Sequence, residues 1–224
     1  MAIQKQIDAI NLYAALMEEI KIRIGLTEMA IQGKLFIHSQ LVREISYLQL
    51  RLICELIALG CLVVHGDIKT VREKRFMKEY DASKIITGLQ VLHPNFYPLP
   101  IVTEFDFDSK GHHRTVPITS AFLTKQELIT LCGKSGDHLH RGSIKKLMKP
   151  RNLNIPNSYP DIWEWLKKIG TLLSNHQIGL LGGKTHVLCI LSATNLGGAC
   201  QVAIADAAQP PPDAKALDAL QRKP

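Results

Sequence analysis

The sequence predicts a mainly α protein, a helical bundle carrying one or two small β-hairpins. Three observations lead there. Long segments repeat apolar residues every three or four positions, the period of a helix face. The stretch LIALGCLVV, residues 56–64, is apolar throughout, as expected of a helix buried on most sides. Two later stretches, near 101–119 and 184–207, alternate around Gly-containing turns, the period of strands.

The elements follow in order. Residues 2–32 read as a helix, with Ile3, Ile7, Ile10, Ala14 and Met17 on one face. Residues 38–65 form a second, central helix, stopped by Gly66. Its apolar half retains one charge, Glu55, with Arg51 and Tyr47 at successive four-residue steps on the same face. A carboxylate in such a place is paired or protonated, because desolvating it alone costs several kcal/mol. Two readings follow: a structural ion pair fixing helix register, or a site carboxylate facing a cleft.

Residues 69–92 give a third helix, ended by HPNFYPLP, whose prolines cannot continue it. Phe96 and Tyr97 are expected to pin that turn to the core. A hairpin spans 101–119, with His112, His113 and Arg114 near its turn. Thr124 and Glu127 make a capping box for a helix over 125–134. Another helix starts at Pro160 and runs to about 177, with Leu166, Ile169 and Leu173 inward. A second hairpin turns at Gly197 and Gly198. The predicted organisation is a helical domain over 1–178, a C-terminal hairpin over 179–207 packed on it, and a disordered tail over 208–224.

With 224 residues, 46% of them hydrophobic, the chain can build one substantial core. Its formal charge of +7 permits association with nucleic acid or an acidic surface. The five cysteines are an odd number without a CxxC pair, which predicts a reduced, cytoplasmic protein. The start lacks the basic and apolar regions of a signal peptide. The longest unbroken apolar run has nine residues, against about 20 for a membrane span, so no membrane association is expected.

LCGKSGDHLHRGSIKKL, residues 131–147, concentrates the candidate chemistry. Cys132, Asp137, His138 and His140 are metal-capable, but no HExxH or CxxC completes a ligand set, so no metal is expected. His140 could act in acid–base chemistry, with Arg141 steadying a phosphate. Arg141, Lys145, Lys146, Lys149 and Arg151 form a basic run with no acid among them. Such a run follows a phosphate backbone, or is a solvated helix end. GxxxxGK[ST], GxGxxG and GxSxG are all missing. LLGGKTHV, residues 180–187, is not a phosphate loop, because its Lys follows a bare Gly pair and precedes a strand.

LRLICELIALGCLVVHGD, LHPNFYPLPI, LTKQELITLCGKSGDHLH and LLSNHQIGLL together resemble a family of uncharacterised bacterial proteins, over residues 40–190. The positions on which its shared motifs fall are Arg51, Glu55, His140, His176 and Gln177. More loosely, the body resembles HEPN domains, small helical proteins among RNA-cleaving toxins and their inactive relatives. Active members carry an arginine followed four to six residues later by a histidine. Here Arg141 directly follows His140 instead. The basic surplus, the 141–151 run and this loose likeness together point to a binding or regulatory module, with RNA as the expected partner; no cofactor is expected. Two alternatives remain open: a metal-independent RNase or other hydrolase using Glu55, Arg51, His140, Arg141 and His176, and a non-catalytic homodimer.

Overall fold

A computed structural model describes residues 2–66, 76, 78–105, 113–139, 158–180 and 183–206. Within these the protein is mainly α, with five helices and a five-stranded antiparallel sheet. The helices are α1 (Ala2–Ile31), α2 (Ser39–Val64), α3 (Ala82–Leu92), α4 (Lys125–Leu139) and α5 (Pro160–Leu173). The strands are β1 (Leu99–Phe105), β2 (His113–Pro117), β3 (Asn175–Gly179), β4 (Thr185–Ile190) and β5 (Gln201–Asp206).

α2 is the central helix, packed against α1, α3, α4 and α5. Leu50, Ile53, Cys54, Ala58 and Cys61 are wholly removed from solvent. The window Leu41–Val64 is long and apolar enough to cross a membrane, with mean hydropathy 1.9, and the fold buries 61% of it. Enclosure by four other helices accounts for that apolar character. α1 meets α2 through Tyr13, Met17 and Ile20, while Ile7 is exposed. The buried face therefore begins a turn or more later than the apolar spacing predicts.

Local chemistry sets several helix ends. Thr124 and Glu127 close the expected capping box: the Thr124 N–H donates to Glu127 Oε2 at 3.0 Å, and the Glu127 N–H donates to Thr124 Oγ1 at 3.2 Å. α4 continues past the expected end at 134 to Leu139. Leu128, Leu131 and Ser135 keep the buried period through that region, and Gly133 and Gly136 face open space. Asp81 caps α3, accepting from the Ser83 N–H at 2.9 Å and the Lys84 N–H at 3.3 Å. The expectation of one continuous helix over 69–92 is corrected: residues 78–81 are not helical and α3 begins at Ala82, while residues 67–75 and 77 lie outside the described residues. Phe96 and Tyr97 are buried as expected, and the Tyr97 hydroxyl donates to the Leu123 carbonyl at 3.0 Å.

The strand arrangement differs from two separate hairpins. Strand order is β2-β1-β3-β4-β5, every pair antiparallel. The first hairpin pairs from Ile101 with Pro117 to Phe105 with His113. The second pairs from Thr185 with Asp206 to Ile190 with Gln201. β3 joins them, aligning Leu99 with Gln177 and Pro100 with His176 on one side and Asn175–Gly179 with β4 on the other. The expectation of helix to residue 177 is corrected: α5 stops at Leu173 and Ser174 turns into β3. His176 and Ile178 alternate inward, a period of two. α5 lies between α2 and the sheet, touching β1 and β3, and α1 reaches β5. Residues 208–224 lie outside the described residues.

Candidate functional site

α2 carries Arg43, Tyr47, Arg51 and Glu55 at four-residue spacing, which places them along one face. The first two meet α5. Asp161, in the first turn of α5, accepts from Arg43 Nη1 at 2.6 Å and Nη2 at 3.2 Å. Its carboxylate also accepts from the Tyr47 hydroxyl at 2.8 Å. A guanidinium fork on a carboxylate holds both side chains in one plane. Burial pushes the Asp161 carboxyl up, and the bonds from Arg43 and Tyr47 outweigh it, leaving it below its ordinary value. The Tyr47 hydroxyl is pushed up to about 12 by burial and by its bond to Asp161. The Arg43 guanidinium also lies 5.6 Å from the Tyr159 ring centroid.

α4 contributes the next layer. The His138 imidazole stacks on the Tyr47 ring, with centroids 3.8 Å apart and planes 18° from parallel. Tyr47 is buried, while His138 is an exposed residue. Burial and then the Arg43 charge lower the His138 pKa, so the ring is neutral at pH 7. One turn back on α4, Lys134 places its ammonium 5.4 Å from the Trp165 ring centroid. One turn along α5 from Asp161, Trp165 also carries Lys168 at 5.5 Å. Lys168 is anchored by Glu127 at 2.6 Å. The result is a surface along α2, α4 and α5 in which aromatic rings alternate with cations.

Arg51 and Glu55 lie further along the same face of α2. Arg51 Nε donates to Glu55 Oε1 at 3.0 Å. The side chains are 37% and 22% exposed, so this is a partly solvated pair rather than a buried charge. Cys132 of α4 is half-buried beside them, and its thiol is pushed up by burial against the opposing pull of Arg51. The start of α3 closes this end through Asp81 and Ser83.

His176 sits elsewhere. It is fully buried on β3, with Nε2 accepting from the Tyr13 hydroxyl at 2.6 Å and Nδ1–H donating to the Leu173 carbonyl at 3.0 Å. Both ring nitrogens are engaged, which is a structural arrangement. Burial lowers its pKa to about 4. Among the described residues no hydrogen bond or ion pair links Arg51 or Glu55 to His176. Gln177, next along, accepts from Thr115 Oγ1 at 3.4 Å. His140, Arg141, Lys145, Lys146, Lys149 and Arg151 lie outside the described residues. Among the described residues, no three His, Cys, Asp or Glu side chains converge as a metal set.

Sequence reasoning named Tyr47 and, separately, His138 as a metal-capable group, but it did not pair the two and did not name Asp161. Asp161 carried one signal, a carboxylate in the first turn after Pro160, where helices favour negative charge. Nothing in the sequence pairs it with residues 118 and 114 positions away. Comparison with known protein families, with characterised proteins and with solved structures finds no match to this chain.

Proposed function

We propose that this protein is a non-catalytic, HEPN-like binding module for single-stranded RNA, and that the face shared by α2, α4 and α5 is its docking surface. The observation that carries the reading is the exposed His138 ring, already stacked on Tyr47 and flanked by Arg43 and Lys134. An incoming base extends that stack with little side-chain ordering, and each such base contributes about 1–3 kcal/mol. Cations beside the platform take phosphates. The basic run at residues 141–151 follows α4 directly in the chain, close in sequence to the stack. The charge of +7 favours encounter with a polyanion.

The test is fluorescence anisotropy of a labelled single-stranded RNA with the intact chain over a range of salt. Micromolar or tighter binding that weakens steeply with salt is expected. His138→Ala should lower affinity by a factor of roughly 5 to 150, the value of one stacked base. Replacing Lys145, Lys146 and Lys149 with Gln should flatten the salt slope by about 2. Binding unchanged in His138→Ala would remove the stacking platform from the reading. Absence of binding at micromolar protein would end it. A denaturing gel distinguishes the rival: RNA cleavage abolished by His140→Ala would replace the binding module with a hydrolase using His140, Arg141 and Glu55. A concentration-dependent mass without RNA binding would favour the homodimer.

A further inference from the structure

The sheet carries a thiol pair remote in character from the α2–α4–α5 face. Cys189 is buried near the end of β4, and Cys200 is half-buried just before β5. Their sulfurs are 3.5 Å apart. The ladder register continues from Ile190 opposite Gln201, which puts both cysteines on one face of the sheet. The remaining cysteines are elsewhere: Cys54 and Cys61 are buried within α2, and Cys132 lies on α4.

Cys200 is held in place from outside the hairpin. Glu18 of α1 accepts its backbone N–H. Lys21, paired with Glu18 at 2.8 Å, donates to the Gly198 carbonyl at 2.6 Å. The connecting loop turns through Gly197 and Gly198, whose φ angles of 62° and 88° favour glycine. α1 thus clamps the loop on both sides of Ala199 and presents the Cys200 sulfur to Cys189. The sulfurs already touch at 3.5 Å, against about 2.0 Å in a disulfide.

The two thiols are unequal. The Cys189 and Cys200 sulfurs share a hydrogen bond that lowers the Cys200 pKa against burial and the nearby Glu18, with Lys21 adding to the effect. The same bond, with burial, pushes Cys189 up. A more acidic, partly exposed thiol next to a buried one is the arrangement in which the first is oxidised and the second resolves it.

We propose that Cys189 and Cys200 are a redox-active pair that hydroperoxides convert to an intramolecular disulfide, with Cys200 as the attacking sulfur and Cys189 as the resolving thiol. The Cys200 thiolate attacks one peroxide oxygen. The O–O bond breaks, and the leaving hydroxide or alkoxide takes a proton from water. Cys200 is now a sulfenic acid. The Cys189 sulfur then attacks the Cys200 sulfur, the S–S bond forms and the S–O bond breaks. The departing hydroxide leaves as water with the Cys189 proton. In sum the two thiols lose two electrons and two protons, and the peroxide is reduced to water and water or alcohol. A small dithiol reverses the change by exchange. The oxidised form ties β4 covalently to the loop that α1 clamps.

The experiment treats the intact chain with hydrogen peroxide, alkylates it and digests it with trypsin. No Lys or Arg lies between Lys184 and Lys215, so both cysteines fall in one peptide, residues 185–215. That peptide should carry two alkyl groups before peroxide. Afterwards it should carry none, weigh two hydrogens less than the dithiol, and recover both groups after dithiothreitol. Cys189→Ser should stop at a Cys200 sulfenic acid trapped by dimedone. Cys200→Ser should leave Cys189 as a thiol. The proposal is overturned if Cys132 oxidises while residues 185–215 keep two free thiols. It is equally overturned if Cys189 oxidises at the wild-type rate in Cys200→Ser.

Discussion

The His176 imidazole sits between two partners of opposite character, a hydroxyl donor on α1 and a carbonyl acceptor at the end of α5. That arrangement is satisfied only by the neutral ring carrying its proton on Nδ1. Its folded pKa of about 4 lies below the ordinary value of 6.5, and burial is the leading cause. The unfolded chain therefore binds the extra proton first as pH falls. The His176 contribution is fully present above about pH 6.5 and is lost as pH drops through the folded value. Chemical denaturation from pH 7 to 4 should show wild-type stability falling, by up to roughly 3 kcal/mol from this group. His176→Gln should flatten that part of the profile. His138 and His186, also lowered by burial, act in the same direction and persist in the variant. An unchanged pH dependence in His176→Gln would show that the ring does not carry the effect.

Helix contacts follow the same logic at the next scale. α1 packs tightly against α2 where Gly60 faces Tyr13. A Cβ at residue 60 would lie 3.0 Å from Tyr13 Cε2, 3.3 Å from Cδ2 and 3.4 Å from Met17 Cε. Tyr13 cannot retreat freely, because its hydroxyl is bonded to His176 and its ring is buried. Replacing a helix glycine by alanine ordinarily adds about 1 kcal/mol of stability. Overpacking a fixed neighbour costs about 1–3 kcal/mol. Gly60→Ala should therefore be net destabilising by about 1 kcal/mol in urea unfolding, opposite in sign to simple propensity. In a Tyr13→Phe background, where the ring is released from His176, the penalty should shrink, and the two changes should not add. A stabilised Gly60→Ala would mean that Tyr13 moves at little cost.

For the whole molecule, the sheet sets the hierarchy of stability. β3 is paired on both sides, and His176 and Ile178 are buried beneath α5. β5 is an edge strand with Gln201, Ala203, Ile204 and Asp206 exposed. Native-state hydrogen exchange should accordingly release β5 amides well before those of β3 and β4. Equal protection across β3, β4 and β5 would mean that the sheet opens as one unit with the bundle. The cores of the helices, the Gly197–Gly198 turn and the capping box were legible in the sequence, while the turn expected between β1 and β2 lies outside the described residues. β3 was not, because Asn-His-Gln looks like the polar end of α5 until His176 is seen bonded inside the core. Of the candidate site, Tyr47, Arg51 and Glu55 were legible as a stripe on α2. Their separation into an Asp161-bonded cluster and a self-contained ion pair was not.

The sequence by itself determined what depends on neighbours a few residues apart. That covers the span of α1 and α2, the Thr124–Glu127 cap, the buried Phe96–Tyr97 turn and the Gly197–Gly198 turn. Period, capping and turn chemistry act locally, so one chain suffices to read them. Only the tertiary structure decided which distant groups meet. It joined the two hairpins through β3, set Asp161 against Arg43 and Tyr47, enclosed His176 behind Tyr13, and brought Cys200 under the Glu18–Lys21 clamp to Cys189. Those contacts span from 11 to 182 residues and depend on how whole faces pack, which no local pattern encodes.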